Sequence, residues 1–197
     1  MREGLRLVIV LTIVSLVAGA ALAYTYQATM PRIRVNEAKA RQEALKSVVP
    51  GTQRFTTTTV KVQLTGATGK TESREVEVYR CVDGAGKLVG LAYIAEPSGF
   101  ADTIQVMVGL DPVARKILAI RVLDLKETPG LGVKVKEEKF TRQFKGKSLS
   151  DAFVAGRSGT DVQAVTGATI SSKAVARGVK ESAEAVLAAY GKEEGRS

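Results

Sequence analysis

The feature of the sequence that most constrains the fold is an uncharged apolar run near the N-terminus. It extends over 17 residues, from Leu7 to Ala23. Counted on through Gln27, it reaches the roughly 20 residues that a helix needs to cross a bilayer. Tyr24 and Tyr26 lie where aromatic residues favour the membrane interface. The run is therefore either a membrane span or a signal peptide, and the remaining chain folds outside it.

One observation favours a membrane span over a signal peptide, and a second one bears on its orientation. Ala21-Leu-Ala23 resembles a signal-peptide cleavage site, but the run is longer than the about 7–15 apolar residues of a usual signal peptide, which favours an uncleaved anchor. Arg2 and Arg6 favour a cytoplasmic N-terminus, although a second basic pair on the other flank weakens this charge argument. We expect an inner-membrane, single-pass protein whose main domain is extracytoplasmic, with a cytoplasmic tail over residues 1–6 and an anchor over residues 7–27.

Composition excludes several kinds of site. The sequence has no histidine, which excludes Ser-His-Asp triads and histidine-ligated zinc or haem. Its one cysteine, Cys81, excludes an intrachain disulfide and a cysteine-ligated iron–sulfur cluster. We expect Cys81 to be a small buried residue at a strand end, without a catalytic role. Redox chemistry in this chain must therefore use an organic cofactor or another subunit.

The formal charge of +9 does not by itself indicate nucleic acid. Between Lys134 and Lys147 the basic residues are interspersed with Glu137 and Glu138, a pattern typical of a solvated surface. With 5% aromatic residues and no nucleic-acid-binding motif, we expect no nucleic-acid partner. Anionic lipid or an acidic protein surface remains open.

The periodicity of the remaining sequence predicts an α+β fold. A capped helix is predicted from Asn36 to Val49, with Pro50-Gly51 as its stop, so that residues 28–51 connect the anchor to one domain over residues 52–190. Residues 191–197 form a polar tail. Runs rich in β-branched residues predict a largely antiparallel sheet, flanked by helices over Lys134–Phe144 and Ile170–Tyr190. The five predicted strands are Val60–Leu64, Glu75–Arg80, Leu88–Ala95, Ile104–Leu110 and Ile117–Leu123.

One short motif, Thr166-Gly-Ala-Thr169, offers the chemistry of a phosphate site. Gly167 and Ala168 leave little bulk between two hydroxyls, and Thr169 begins a predicted helix whose first N–H groups and positive dipole end favour a phosphate. The alternative is that Thr166 or Thr169 only caps the helix. The same four residue types recur at Thr65–Thr68, between two predicted strands with no helix behind them, where we expect a turn.

A second motif, Glu127-Thr-Pro-Gly-Leu-Gly132, follows the last predicted strand. Pro129 and Gly130 define a turn, and Gly132 permits a close approach of the backbone. The motif presents Glu127 and Thr128 beside that turn. On its own this motif is a weak signal, more typical of a plain turn beside a core leucine than of a binding site.

Taken together, these segments resemble the G subunit of the Rnf ion-translocating electron-transport complex. The resemblance covers nearly the whole chain and rests on the order of its motifs. The C subunit of the sodium-pumping NADH:quinone oxidoreductase, which carries a related FMN-binding domain, is the second candidate. The segments are the N-terminal span, Ser98-Gly-Phe100, Val106–Asp111, Glu127–Gly132, Lys139–Phe144 and Asp161 to Thr169.

The resemblance implies an FMN-binding domain with a covalent cofactor. The last threonine of the motif, Thr169, would be esterified to the phosphate of FMN by a separate magnesium-dependent flavin transferase that uses FAD. Asp161 would be the upstream acid of the motif. The other expected cofactor-binding residues are Thr166, Gly167, Ala168, Glu127, Thr128 and Leu131, the last three facing the ring or the ribityl chain.

The implied role is an electron-carrier subunit of a membrane complex rather than a complete enzyme. Its partners would be the other subunits of that complex, with the N-terminal helix holding it to the membrane. A membrane-anchored binding or assembly module of the same fold without a cofactor is the alternative from a different class. A secreted Ser–Lys hydrolase is weaker still, because Ser172-Lys173 does not have the Ser-x-x-Lys spacing.

Overall fold

The computed structural model describes residues 2–65, 71–99, 102–125, 132–156 and 161–194. The chain divides into two compact units, Met1–Arg41 and Gln42–Ser197. The first unit is helical throughout its described part and belongs to helix α1, Arg2–Val48. The second unit contains the last residues of α1, the sheet and the remaining helices.

Within the described residues, α1 is the one helix long and apolar enough to cross a membrane. Its apolar side chains are exposed along the predicted span, Leu7 by 71% and Leu22 by 73%, as expected for residues that face lipid. The predicted separate start at Asn36 is wrong, because Asn36 lies inside the continuous helix. Asparagine costs only about 0.7 kcal/mol or less relative to alanine inside a helix, so neighbouring helix formers override its capping tendency.

The strands form an antiparallel meander, and the predicted fold class is confirmed. Within the described residues the five strands pair in chain order, with each strand next to its sequence neighbour. The first two strands extend well beyond their predicted ends. In β1 the extension includes the β-branched threonines at Thr56–Thr59, which continue the ladder. The strands are β1 Arg54–Thr65, β2 Thr71–Val82, β3 Leu88–Ala95, β4 Ile104–Asp111 and β5 Lys116–Leu125.

The two faces of the sheet bury different helices. Along β3, Leu91 and Tyr93 belong to the main core, whereas Ala92 between them packs into a second core with Leu45 and Val48 from the end of α1. This alternation follows from the two-residue period of a strand. The sheet therefore forms the middle layer of the second unit.

The main core is completed by helix α3, Thr169–Glu194, which packs against β1, β3 and β4. Val175, Val179 and Val186 are buried as predicted, and Leu187 is half-buried. The phenol of Tyr93 lies 3.0 Å from the hydroxyl of Ser182 in the interior of this layer. The Ser182 hydroxyl donates to the carbonyl of Val179, so it accepts from Tyr93. Burial raises the pKa of the Tyr93 phenol.

Short elements join β5 to α3. The predicted single helix over Lys134–Phe144 is instead three short turns, because their hydrogen bonds are mixed between the α and 3-10 patterns. Phe140 and Phe144 are nevertheless buried, with ring centroids 5.4 Å apart. The turns are η1 Gly132–Lys136, α2 Glu138–Thr141 and η2 Arg142–Phe144, followed by the parallel pair β6 Ala155–Gly156 and β7 Val162–Gln163.

Gly109 of β4 permits a close approach of the end of α1 to the sheet. A Cβ at this position would lie far inside the van der Waals contact distance from the Val48 carbonyl oxygen. We expect Gly109→Ala to destabilise the detergent-solubilised full chain by about 1–3 kcal/mol through overpacking. Gly191→Ala on α3, where a Cβ meets open space, is the matched control and should stabilise by about 0.5–1 kcal/mol. Equal unfolding midpoints for the two variants would contradict this account of the contact.

Candidate functional site

Thr169 is the first residue of α3, as predicted. The amide of Ser172 donates to the carbonyl of Ala168 at 2.8 Å, which closes the first helical turn and makes Ala168 the N-cap residue. Thr169 is therefore the first residue inside the helix, and it does not occupy the N-cap position. Its backbone N–H and that of Ile170 precede the hydrogen-bonded turn, at the end where the helix dipole favours an anion.

The residues before the helix present the motif at the surface. Thr166 and Gly167 are exposed, Thr169 is half-buried and Ala168 is 4% exposed. Gly167 has a φ of +84°, a backbone conformation that a residue with a Cβ adopts only at a cost. The glycine thus allows the chain to turn into the helix, and the buried Ala168 holds that turn against the core. A small side chain at each position keeps the space beside Thr169 clear.

Ser172 ties this loop to the helix and was not assigned a binding role from the sequence. Its hydroxyl, fully buried, donates to the carbonyl of Ala168 at 2.8 Å and accepts from the amide of Val165 at 3.1 Å. Both hydrogen bonds end on the residues that flank Thr166 and Gly167. The signal available in the sequence was a serine three residues after Thr169, on the same side of the helix as the loop.

Gln143 fixes the strand that leads into the motif. Its side-chain oxygen accepts from the amide of Gln163 at 2.7 Å, and its side-chain nitrogen donates to the carbonyl of the same residue at 3.2 Å. A side-chain amide thereby makes the two hydrogen bonds that a neighbouring strand would make to β7. The loop from Ala164 to Ala168 is consequently held at both ends, by Gln143 and by Ser172.

Of the second sequence motif, the structure describes Gly132, whereas Glu127, Thr128 and Leu131 lie outside the described residues. Thr68 of the repeated four-residue motif does so too. The described residues on either side of this gap are Leu125, which ends β5, and Gly132, which begins η1. Val135 of η1 is buried in the same core as Val175, and η1 contacts α3. Asp161, the upstream acid, is exposed immediately before β7.

A cavity of about 730 Å³ opens beside the first turns of α3. Its volume lies within the range of about 300–1,000 Å³ that is usual for small-molecule sites. One wall is the outer face of α3, and the other is the segment that leads into β6. The described residues that line it are Ser98, Ala152, Phe153, Val154, Ala155, Ile170, Lys173, Ala174, Arg177, Lys180, Glu181 and Glu184.

Cys81 lies apart from these groups. It is buried in the second core, next to the last residue of β2, as predicted. Burial raises the pKa of its thiol, opposed by a hydrogen bond with Thr52. A thiol that stays protonated is a weak nucleophile and a weak metal ligand.

Two family models match the chain. The N-terminal region of RnfG matches residues 2–48, which coincide with α1. The FMN-binding domain matches residues 99–184, which include the loop and the first four turns of α3. The junction between the loop and α3 therefore lies inside a domain that the family model describes as FMN-binding.

Full-length similarity decides the family. The chain is 31% identical to the G subunit of the proton-translocating ferredoxin:NAD(+) oxidoreductase complex of Clostridium ljungdahlii, over 89% of this chain and 88% of that one. The chain belongs to the RnfG family. A second member, the G subunit of an ion-translocating oxidoreductase complex from Methanosarcina acetivorans, is 29% identical over 96% of this chain and 98% of its own.

The fold of this RnfG family member is shared with a solved structure. NqrC of Shewanella oneidensis aligns with a TM-score of 0.54 and 25% identity, over 68% of this chain and 70% of that one. The resemblance to both families predicted from the motifs is thus confirmed, with RnfG as the family and NqrC as the structural neighbour.

Ser172 provides a test of how the motif is held. Replacing Ser172 with alanine removes the acceptor of the Val165 amide, a hydrogen bond worth about 0.5–1.5 kcal/mol. We expect the Val165 amide to exchange with solvent roughly two- to twelvefold faster, as measured by hydrogen–deuterium exchange. Ser182→Ala, which removes a buried hydroxyl from the same helix, is the control and should leave this amide unchanged. Unaltered exchange in Ser172→Ala would show that the hydroxyl does not hold the loop.

Proposed function

We propose that this chain is a membrane-anchored electron-transfer subunit that carries FMN covalently on Thr169, within an Rnf-type ion-translocating oxidoreductase complex. The observation that carries the proposal is the position of Thr169 as the first residue of α3, inside the segment matched by the FMN-binding family model. The relatives named as G subunits of ion-translocating complexes support the assignment to such an assembly.

The residues at the junction suit a phosphoester. Helix α3 is 26 residues long, so the positive end of its dipole and the first N–H groups lie beside the hydroxyl that would bear the phosphate. Gly167 and Ala168 add no bulk on the approach to that hydroxyl. Thr166 supplies a second, exposed hydroxyl that can donate to a phosphate oxygen. The residues at the start of α3 therefore fit the phosphate of FMN.

The bond requires a second protein. In the proposed step the Thr169 hydroxyl oxygen attacks the FMN-side phosphorus of FAD, the pyrophosphate bond breaks, and AMP leaves. The hydroxyl proton passes to a base of the flavin transferase. A threonine hydroxyl is a poor nucleophile without a base, and the sequence contains no histidine to serve as one. An external transferase is therefore the reasonable source of the linkage.

Once attached, FMN supplies the one- or two-electron chemistry, and the protein holds and tunes it. We assign contacts with the ring or the ribityl chain to Glu127, Thr128 and Leu131. The support is indirect: η1, which begins directly after this segment, packs against α3 through the shared core. Electron donors, acceptors and the translocated ion belong to the partner subunits in this proposal.

We also propose that α1 crosses the inner membrane once. Its apolar segment is exposed and long enough to span the bilayer. In this arrangement residues 1–6 are cytoplasmic and the FMN domain is extracytoplasmic, an orientation that Arg2 and Arg6 before the span favour. The domain then works at the membrane surface, where the anchor keeps it close to the other subunits.

Substitution of Thr169 tests the attachment. The full chain, co-expressed with a flavin transferase, should give a band that fluoresces under ultraviolet light in a denaturing gel, because a phosphoester survives denaturation. Thr169→Ala removes the attacking hydroxyl and should abolish the fluorescence, whereas Thr68→Ala should retain it. A dark band for the unsubstituted chain would refute covalent flavin, and a fluorescent Thr169→Ala band would refute the site.

A further inference from the structure

Four cations lie close together where β5 begins. The amide of Ile117 in β5 donates to the carbonyl of Lys147 at 2.8 Å, and the amide of Leu149 donates to the carbonyl of Arg115 at 3.0 Å. These hydrogen bonds hold the segment after η2 alongside the start of the strand. Lys147 is half-buried, and the other three cations are exposed. The four residues, which we call the basic ridge, are Arg115, Lys116, Lys145 and Lys147.

The positive charge of the basic ridge is only partly offset by its neighbours. Asp111 lies opposite Lys116 in the ladder of β4 and β5, but its carboxylate accepts hydrogen bonds from two amides of the intervening turn. The carboxylate of Asp151 accepts from the amide of Ser148 at 3.1 Å. Within the described part of the chain, no cation of the ridge forms an ion pair. Four cations beside two carboxylates leave a net positive surface.

The basic ridge is held in place before any partner binds. Arg115 has a φ of +52°, a left-handed conformation that a residue with a Cβ adopts only at a cost. Strained positions of this kind persist where the surroundings fix them, and they cluster at functional sites. The ammonium of Lys147 lies 5.6 Å from the centre of the Phe153 ring, a cation–π contact that restrains its long side chain. Cations that are already ordered lose less conformational entropy on binding.

The surroundings of the basic ridge suit a protein partner better than a lipid surface. Val113, at the tip of the turn between β4 and β5, is 88% exposed beside the ridge. Protein interfaces combine an apolar centre with a polar rim and are enriched in arginine. Anionic lipid is recognised instead by basic residues next to a membrane span, or by an amphipathic helix with large apolar side chains. The ridge lies on a sheet edge, far along the chain from the apolar segment of α1.

We propose that the basic ridge docks onto an acidic surface of another protein subunit. This inference rests on the proposed membership of a multi-subunit complex, and it does not depend on the flavin. Complementary charge across an interface speeds the encounter of two proteins and fixes their register. The ridge presents that charge from a paired backbone, so it favours one orientation of the bound subunit. Val113 supplies the apolar contact beside the charged groups.

Lysine acetylation tests what covers the basic ridge. The full chain is acetylated alone in neutral detergent, alone in nanodiscs that contain phosphatidylglycerol, and in the intact complex purified through a tag on another subunit. We expect Lys116 and Lys145 to react severalfold more slowly in the complex only, as measured by mass spectrometry. The exposed Lys87 and Lys192 are the reference lysines. Protection in nanodiscs without partners would show a lipid surface and overturn the proposal, as would equal reactivity in all three samples.

Charge reversal tests whether the partner surface is acidic. The double variant Arg115→Glu/Lys145→Glu is compared with Lys87→Glu/Lys192→Glu, which makes the same change in net charge elsewhere on the domain. Detergent-solubilised full chain is added to the complex prepared without it. We expect the ridge variant to bind with a Kd at least about tenfold higher than that of the unsubstituted chain, because like charges then face each other. Equal Kd values for the two double variants would overturn the proposal.

Attachment and assembly separate this proposal from the proposed function. Unfolding midpoints and denaturing-gel fluorescence of both double variants should match those of the unsubstituted chain, because the ridge lies on exposed positions away from Thr169. A chain that binds the other subunits with its ridge lysines unprotected contradicts the docking surface alone. A chain that binds none of the subunits contradicts the proposed function.

Discussion

The packing of α3 across the sheet is the constraint on which the rest of the structure depends. One face of the helix is buried in the main core through Val175, Val179 and Val186, and Ser182 meets Tyr93 beneath it. Because this face is fixed, the first turn of the helix is fixed as well. The hydroxyl of Ser172 in that turn holds the preceding loop by hydrogen bonds with Val165 and Ala168. The opposite face then forms a wall of the cavity. The packing of α3 thus positions both the hydroxyl of Thr169 and one wall of the cavity.

Much of the fold was predictable because its elements repeat simple periods. β3 was predicted with its observed bounds and β4 to within one residue, since turn residues interrupt strong β-branched runs. The start of α3 at Thr169 was predictable from the change of period. Residues 134–144 were predicted as one regular helix, whereas the structure has three short turns there. The spacing of Phe140 and Phe144 indicates a buried face, but it does not distinguish an α-helix from a succession of α and 3-10 turns. The capping preference of Asn36 predicts a helix start there, but its neighbouring helix formers keep α1 continuous through this position.

The residues of the candidate site can be singled out in the sequence, but the hydrogen bonds that hold them cannot. Thr166, Gly167, Ala168 and Thr169 stand out in the sequence, but the same types at Thr65–Thr68 show that the four residues alone do not define a site. Hydrogen bonds from Gln143 and Ser172 connect residues up to 20 positions apart, and no sequence period encodes them. The cavity is likewise a product of tertiary packing, because its two walls come from α3 and the 152–155 segment. Only the folded chain brings these groups to one place.

Attachment of FMN to Thr169 is tested most directly by peptide mapping with mass spectrometry. The full chain is co-expressed with a flavin transferase, purified and digested. We expect the peptide that contains Thr169 to gain the mass of FMN less one water, with fragment ions that place the addition on that residue. Location of the added mass on another residue, or an unmodified Thr169 peptide in a fluorescent protein, would contradict the claim.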